Sequence, residues 1–405
     1  MAPTEASPKP DPLEGTSGRR FVADDEGAQP GDVHQHPRQE ERESVDGDLL
    51  PGEVYGSEDV LRLEQRGLFA REWLCVGREA DIPAAGDWFL KDIAGDSVIV
   101  LRGADGAIRA FYNVCRHRGS RLLDEPQGRG LARVLCPYHA WSYHLDGSLQ
   151  NAPRMGADFC KGEHSLNAVQ IGFHEGFIFL NLDAGAQPLA RWLADLPDLK
   201  RFRMPALKCG RRIEYEVHAN WKLVCENYSE CYHCPGAHPQ LARISEQISR
   251  SERGQEIGAC FNGGPMRLRD GIETMSMSGR STLPTIPGLS LDDCRYVHYY
   301  VIYPNMLLSP HPDYVLVHTA WPLAPDRTRV ACEWLFTDEA VSAQAFDPSD
   351  VVDFWDVTNR QDWALCERTQ AGVTSRGYRP GPYQSSEDCV HIFDRWYADR
   401  LAGLL

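Results

Sequence analysis

The chain has 405 residues, a formal net charge of −16 and a sequence pI near 5.3. The negative charge disfavours nucleic acid and anionic membrane surfaces as partners, and no apolar run approaches the roughly 20 residues that span a bilayer. The length is enough for two or three domains with large cores. Thirteen cysteines without a secretory signal indicate a reducing, cytoplasmic location, where most thiols are small buried apolar groups rather than disulfides.

The first 49 residues are rich in Pro, Gly and charged residues and almost free of aliphatic ones, which predicts a disordered tail. A helix is expected within residues 50–72, because apolar residues from Val60 to Phe69 recur at helical spacing after Ser57. We expect this helix to pack on the domain that forms the C-terminal part of the chain.

Residues 73–185 are β-rich by their pattern, and this span holds the most informative motif of the chain. Candidate ligands stand at Cys115-x-His117 and, after a further eighteen residues, at Cys136-x-x-His139. Each pair supplies one sulfur and one nitrogen from a tight loop, since Gly119 and Pro137 favour turns. Two thiolates and two imidazoles are the ligands of a Rieske-type [2Fe–2S] cluster, in which Cys binds one iron and His the other.

A zinc site is the alternative for these four residues, because two Cys and two His also bind zinc. Zinc fingers usually place both Cys in one pair and both His in the other. The mixed pairing therefore favours the cluster, which accepts single electrons and passes them on.

A second set of candidate ligands lies about a hundred residues downstream, where His233 and His238 flank Pro235-Gly236. Pro and Gly end helices, so we expect one His at a helix end and the other just beyond it. Two His and a carboxylate form the facial triad of non-haem Fe(II) oxygenases, which leaves positions open for dioxygen. Cys231-x-x-Cys234 also has the spacing of a redox pair or half a zinc site, but no second Cys-x-x-Cys and no thioredoxin-like surroundings accompany it.

The third iron ligand is sought in the C-terminal region, whose pattern of strands and helices gives the chain an α+β class. We expect Ser349 to cap a helix that extends to about residue 371 and Gly372 to end it. Asp362 lies seven residues after the apolar Trp355, on the same helix face, and ranks first among the carboxylates of this helix. The remaining predicted elements are strands at 296–308, 314–321 and 328–336 and a helix at 387–403.

In combination these motifs resemble the α subunit of the Rieske non-haem iron oxygenases, from about residue 50 to the end of the chain. The runs that carry the resemblance are Cys115-Arg-His117-Arg-Gly119, Cys136-Pro-Tyr-His139-Ala-Trp141 and Glu226-Asn-Tyr-x-Glu230-x-Tyr-His233-x4-His238. The most similar branch oxidises N-methyl groups of quaternary ammonium compounds such as glycine betaine, stachydrine or carnitine. The resemblance implies an inserted all-β Rieske domain at 73–185 and a helix-grip catalytic domain with an antiparallel sheet at 186–405.

The resemblance also implies roles for individual residues and for partners. The cluster would be held by Cys115, His117, Cys136 and His139, and a mononuclear Fe(II) that uses O2 by His233, His238 and Asp362. Glu230 would link the cluster of one subunit to the iron of its neighbour by accepting an N–H bond from a His of each, while Asn227 and Glu226 would support the site. A separate NAD(P)H-dependent reductase or ferredoxin would supply electrons, and the route between subunits implies a homotrimer. One departure from the family pattern is Ala140, where Gly usually follows the second cluster His.

A quaternary ammonium substrate would favour a pocket with aromatic walls, because each cation–π contact contributes roughly 0.5 to 2 kcal/mol. The candidates for such walls are Tyr299, Tyr300, Tyr303, Trp321 and Trp355. Two alternatives stay open: an aromatic or natural-product substrate, and a Rieske electron carrier without oxygenase chemistry.

Overall fold

The computed structural model describes residues 47–246 and 254–404. The predicted disordered tail lies outside the described residues except for its last three positions. There Asp48 forms an isolated β-bridge with Pro382, and Leu49 donates its N–H to the carbonyl of Gly381 at 2.9 Å. The end of the predicted tail is therefore paired with the C-terminal part of the chain.

The N-terminal helical segment begins where the sequence places it. Ser57 caps the helix by accepting the N–H of Val60, and the buried positions Leu61, Leu68 and Phe69 face the core. The segment consists of α1 (Glu53–Gly56), α2 (Glu58–Glu64) and one π-helical turn (Gln65–Phe69).

The region from residue 73 to 183 is β-rich, as predicted, and forms three small antiparallel sheets. Their strands are β1 (Leu74–Arg78), β2 (Trp88–Ile93), β3 (Asp96–Arg102), β4 (Ile108–Tyr112), β5 (Gln127–Gly128), β6 (Val134–Leu135), β7 (Ser142–Tyr143), β8 (Leu149–Asn151), β9 (Gln170–His174) and β10 (Phe177–Asn181). The sheet orders are β4-β3-β2-β5, β6-β7-β8 and β1-β10-β9. Gly106 and Gly147 have positive φ angles in two turns of this region, a conformation that glycine adopts readily because it has no Cβ to clash.

One seven-stranded antiparallel sheet dominates the C-terminal part, in the order β11-β17-β16-β15-β14-β13-β12. Its strands are β11 (Lys208–Val217), β12 (Glu256–Gly258), β13 (Phe261–Arg267), β14 (Tyr296–Ile302), β15 (Met306–Pro310), β16 (Val315–Ala324) and β17 (Arg327–Phe336). The helices that accompany it are α3 (Leu189–Trp192), α4 (Trp221–Ser229), α5 (Cys234–Ala237), α6 (Pro239–Ile244), α7 (Asp338–Ser342), α8 (Ser349–Val373) and α9 (Asp388–Ala402). This arrangement confirms the α+β class and the predicted antiparallel sheet.

Both ends of α8 differ from the prediction. Pro348 occupies the N-cap position, and Ser349, the predicted cap, is the first helical residue and donates its N–H to Asp347 Oδ1 at 3.0 Å. Gly372 lies inside the last turn, and the helix ends at Val373 with Thr374 as its C-cap. Ser349 and Gly372 therefore predict the bounds of the helix to within two residues, although neither residue is a cap.

A buried ion pair fixes α4, the helix that leads into the candidate iron site. Lys222 Nζ lies 2.6 Å from Glu64 Oε1, and both side chains are almost completely buried. Glu64 also accepts hydrogen bonds from Trp221 Nε1 at 2.9 Å and from the Tyr397 hydroxyl at 2.7 Å. Because an unpaired buried charge costs several kcal/mol, this carboxylate ties the N-terminal segment to α4 and α9.

Candidate metal centres

The first candidate centre is built by two tight loops, as predicted. In the first loop Cys115 donates its N–H to the carbonyl of Ser120 at 2.8 Å, and Val114 pairs with Arg121. The second loop is the tip of the β6–β7 hairpin, where the N–H of Cys136 bonds the carbonyl of Trp141 at 2.8 Å. Each loop thus presents one Cys and one His from a closed backbone turn.

The side chains of these loops pair by type, imidazole with imidazole and thiol with thiol. His117 Nδ1 and His139 Nδ1 are 3.1 Å apart, the two imidazoles are exposed, and the two cysteines are buried. The Tyr143 hydroxyl lies 3.3 Å from Cys115 Sγ. Burial disfavours the Cys136 thiolate, but the N–H groups of Tyr138 and His139 outweigh that effect and lower its pKa. Buried sulfurs with hydrogen-bond donors and two facing ring nitrogens fit a half-histidine-ligated [2Fe–2S] cluster.

The backbone of the second loop shows why glycine would suit the position after the second histidine. Ala140 has φ of 56°, in the left-handed region, and donates its N–H to the carbonyl of Cys136 at 3.1 Å. The Cβ of alanine makes this conformation costly. The ligands keep their places, so the substitution adds backbone strain without displacing them.

The second candidate centre forms where α4, α5 and α8 meet. His238 Nε2 lies 2.9 Å from Asp362 Oδ1, and His233 Nε2 lies 3.2 Å from the same oxygen and 3.1 Å from His238 Nε2. Asp362 projects inward from the middle of α8, the helix face inferred from Trp355. Three ligand atoms from two segments thus lie close enough together to coordinate one metal ion, as the 2-His-1-carboxylate set requires.

The local backbone around these histidines differs from the prediction. Helix α4 already ends at Ser229, before Glu230, and Pro235-Gly236 lie inside the one-turn helix α5 instead of ending a helix. Pro fits the first turn of a helix because its missing N–H would be unbonded there. His233 is the residue before α5 and His238 the residue after it.

The remaining ring nitrogen of each histidine bonds a side chain that orients it. His233 Nδ1 contacts Glu230 Oε1, and His238 Nδ1 lies 2.8 Å from Gln361 Oε1. Burial opposes protonation of His233, but its bonds to Asp362 and Glu230 outweigh burial and raise its pKa to about 9. Such outer partners fix the tautomer and strengthen the basicity of a metal-binding imidazole.

A narrow cavity of about 50 Å³ adjoins this centre. Tyr299 and Trp355 form aromatic walls, with ring centroids 6.3 Å apart and planes at 64°, and the indole N–H of Trp355 donates to the Tyr314 hydroxyl at 2.6 Å. The lining residues also include Asn227, Tyr228, Glu230, Met266 and Thr358.

The other predicted aromatic candidates lie elsewhere. Tyr303 follows the end of β14 and packs on Trp396 with ring centroids 4.7 Å apart, and Tyr300 bonds Glu256. Trp321 lies under Lys91, whose Nζ is 3.8 Å from the ring centroid, at a separate cavity. None of these three lines the cavity beside the histidines, so they are not retained as substrate contacts.

One hydrogen-bond partner of a histidine ligand escaped the sequence reasoning. Gln361 is adjacent to Asp362 in the chain, and only its position in the folded helix reveals the bond to His238. Glu226 accepts a hydrogen bond from the Tyr55 hydroxyl at 2.9 Å, away from the ligand atoms, so its role is structural. Cys231 and Cys234 form a disulfide, whereas most of the other described cysteines are buried and form no disulfide.

The comparisons with known proteins agree with this geometry. The family model of the Rieske [2Fe-2S] domain matches residues 72–170, and that of the ring hydroxylating alpha subunit (catalytic domain) matches residues 204–403. The glycine betaine monooxygenase oxygenase subunit of Chromohalobacter salexigens is 35% identical over 389 residues, covering 88% of this chain and 86% of that protein. The carnitine monooxygenase oxygenase subunit of Escherichia coli K12 is 30% identical over 341 residues, covering 82% and 85%. The crystal structure of the quaternary ammonium Rieske monooxygenase CntA with L-carnitine superposes with a TM-score of 0.71 at 26% identity, over 87% of this chain and 95% of that one.

The chain therefore belongs to the Rieske-type ring-hydroxylating oxygenase α subunits. It is an oxygenase whose cofactors are a Rieske [2Fe–2S] cluster and a mononuclear iron and whose co-substrate is O2, so the alternative of a pure electron carrier falls away. Among the described residues, no helix has both the length and the apolar character needed to cross a membrane.

Proposed function

We propose that this oxygenase hydroxylates an N-methyl group of a small quaternary ammonium compound and releases formaldehyde. The observation that carries the proposal is the pair of aromatic walls, Tyr299 and Trp355, beside the His233, His238 and Asp362 side chains. A cation within about 6 Å of such ring faces is attracted by their electron density. The relatives named for glycine betaine and carnitine support the same substrate class.

Charge favours this substrate over an aromatic acid. The carboxylates of Asp362 and Glu230 border the cavity. The net charge of −16 raises the local concentration of cations around the protein. An aromatic acid would meet the opposite field.

In this proposal the two centres divide the work between them. Cys115, Cys136, His117 and His139 hold the cluster, which receives electrons from a separate NAD(P)H-dependent reductase or ferredoxin. His233, His238 and Asp362 hold the iron, which supplies dioxygen activation when bound. Glu230, bonded to His233, accepts a second N–H from a cluster histidine of the neighbouring subunit, which requires an oligomer. The proposed working form is a homotrimer, and its proposed location is the cytoplasm.

The proposed reaction balances as an insertion of one oxygen atom. The substrate N–CH3 group, O2, two electrons and two protons give N–CH2OH and water. The N–CH2OH cation then loses formaldehyde and a proton, which leaves a tertiary amine. The chain contributes the aromatic walls that hold the cation with one methyl group facing the ligand triad.

A substrate panel tests the proposal. The loaded protein with a surrogate reductase should release formaldehyde from glycine betaine, stachydrine or carnitine, and none from analogues in which carbon replaces the quaternary nitrogen. Trp355→Leu should raise KM about tenfold with unchanged metal content, because one cation–π contact is lost. Trp321→Leu is the matched control and should leave KM unchanged. Oxidation of aromatic acids without activity on any quaternary ammonium compound would refute the substrate class.

A further inference from the structure

The pair Cys231 and Cys234 encloses Tyr232 and His233 in the turn that supplies the iron ligands. The two cysteines are joined by a disulfide, and both line the cavity beside the metal ligands. Cys234 is 3% exposed, whereas Cys231 is partly exposed and Tyr232 is 62% exposed. The disulfide therefore has one sulfur within reach of solvent and one facing inward.

The inward sulfur lies among the ligand atoms. Cys234 Sγ and one ring nitrogen each of His233 and His238 all lie within 4.8 Å of one another. Tetrahedral sites with metal–sulfur bonds near 2.3 Å and metal–nitrogen bonds near 2.0–2.1 Å place sulfur and nitrogen about 3.6 Å apart. A shift of roughly 1 Å would bring this sulfur into the coordination sphere.

We propose that Cys231 and Cys234 form a redox gate on the mononuclear site, in which reduction makes Cys234 a thiolate ligand of the metal. The inference rests on the assignment of His233 and His238 as ligands in the proposed function. While the disulfide persists, Cys234 has no thiolate to offer, and the two histidines with Asp362 leave positions open for dioxygen. After reduction, two nitrogens, one sulfur and one oxygen form the closed set that zinc prefers.

The chemistry of the gate is ordinary thiol–disulfide exchange. A small thiol such as glutathione attacks the accessible Cys231 sulfur, forms a mixed disulfide with it and releases Cys234 as the thiolate. A second thiol then frees Cys231, so two thiols are oxidised to one disulfide while the protein gains two thiols. Hydrogen peroxide restores the starting form by taking two electrons and two protons from the pair and giving two molecules of water.

Cobalt gives a readout that is independent of both turnover and the iron–sulfur cluster. The full-length protein, loaded with Co²⁺ at the mononuclear site, is measured by X-ray absorption at the cobalt edge with and without a phosphine reductant. We expect only nitrogen and oxygen neighbours in the oxidised protein and a sulfur neighbour at about 2.3 Å after reduction. A thiol count by mass spectrometry reports the state of the disulfide in each sample.

Two variants make the test specific. Cys231→Ser removes the disulfide and leaves Cys234 free, so the cobalt–sulfur contact should be present without reductant. Cys234→Ser should never show it. Cobalt bound without sulfur in reduced wild type and in Cys231→Ser overturns the gate alone, provided that His233→Ala still abolishes binding. If His233→Ala binds cobalt as well as wild type does, the iron-site assignment fails and the gate with it.

Discussion

Ala140 shows how one side chain sets the strain of the loop that holds a cluster ligand. Its φ of 56° places an alanine in the left-handed region directly after His139. The Cβ of alanine in this conformation costs roughly 1–2 kcal/mol. Glycine removes this cost, but part of the gain in stability is offset because glycine has the larger conformational entropy in the unfolded chain. We expect Ala140→Gly to stabilise the region around the cluster by about 0.5–1 kcal/mol. Chemical denaturation followed by the visible absorption of the cluster measures the change.

The control for this substitution is Ala107→Gly, at an exposed residue just before β4 that does not have positive φ. That variant should be neutral or slightly destabilising, because glycine at this position relieves no backbone strain and loses more conformational entropy on folding than alanine does. Equal effects of the two substitutions would show that the strain at Ala140 is not the cause.

At the residue scale, the sequence could predict ligands better than substrate contacts. Paired spacing identifies ligands such as Cys115 and His117, since short loops force neighbouring side chains onto one centre. An aromatic wall depends on which way a strand residue faces after the sheet has formed. Tyr299 faces the cavity, whereas Tyr303 lies beyond the strand end and Trp321 reaches a different cavity, and no spacing in the chain separates these outcomes.

At the element scale, α4 and α9 are joined by two carboxyl groups, Glu226 and Asp394. The Tyr383 hydroxyl donates to Asp394 Oδ2 at 2.7 Å, and Asp394 is 2% exposed. Burial raises the pKa of Asp394 to about 7, and burial together with the Asp394 charge raises the pKa of Glu226 well above its ordinary value. The folded pair therefore retains protons that the unfolded chain has already released.

This pair makes stability fall as pH rises. Between about pH 4 and pH 7 the folded state binds more protons than the unfolded state, so the contribution is complete at the acidic end and is lost through pH 7. Asp394→Asn keeps an acceptor for Tyr383 and removes the titration. The free energy of unfolding of the variant relative to wild type should rise by up to about 1.4 kcal/mol per pH unit across this window.

Denaturant titrations at several pH values check this expectation. Asp399→Asn, on the exposed face of the same helix, is the control and should follow wild type. A variant curve parallel to that of wild type from pH 4 to 7 would show that the Asp394 carboxyl ionises alike in both states.

Element boundaries were less predictable than the elements themselves. Periodicity located α8 because its apolar face extends over many turns, but its start depends on Pro348 and Asp347, which no periodic pattern includes. Between His233 and His238, the sequence predicts that Pro235-Gly236 end a helix. A single helical turn formed instead, since proline is well placed in a first turn.

At the scale of the whole molecule, the cluster ligands lie at a surface suited to contact with another protein. His117 and His139 are exposed, and the apolar neighbours Tyr138 and Leu135 are 58% and 46% exposed. On the same chain Glu230 bonds His233, and Tyr232, which lies between them in the sequence, is exposed. In the proposed trimer the surface around His117 and His139 of one subunit meets the surface around Glu230 and Tyr232 of the next. Repetition of this head-to-tail contact closes a ring.

Subunit complementation tests whether electrons cross that contact. His233→Ala should lose turnover but keep the visible absorption of the cluster, and Cys115→Ser should lose the absorption because one cluster ligand is gone. Neither variant is active alone if each centre has the role proposed for it. Coexpressed at equal levels, they assemble hybrid trimers in which an intact cluster faces an intact iron site of the neighbour at about one contact in four.

We therefore expect the coexpressed mixture to recover about one quarter of wild-type formaldehyde release, since each productive contact acts independently. The matched control combines His233→Ala with Asp362→Ala, two lesions of the same centre, which no arrangement of subunits can complement. If electrons instead passed from cluster to iron within one chain, every subunit of the first mixture would lack one of its two centres. The mixture would then be as inactive as the control, and the route between subunits would be refuted even if the protein proved to be a trimer.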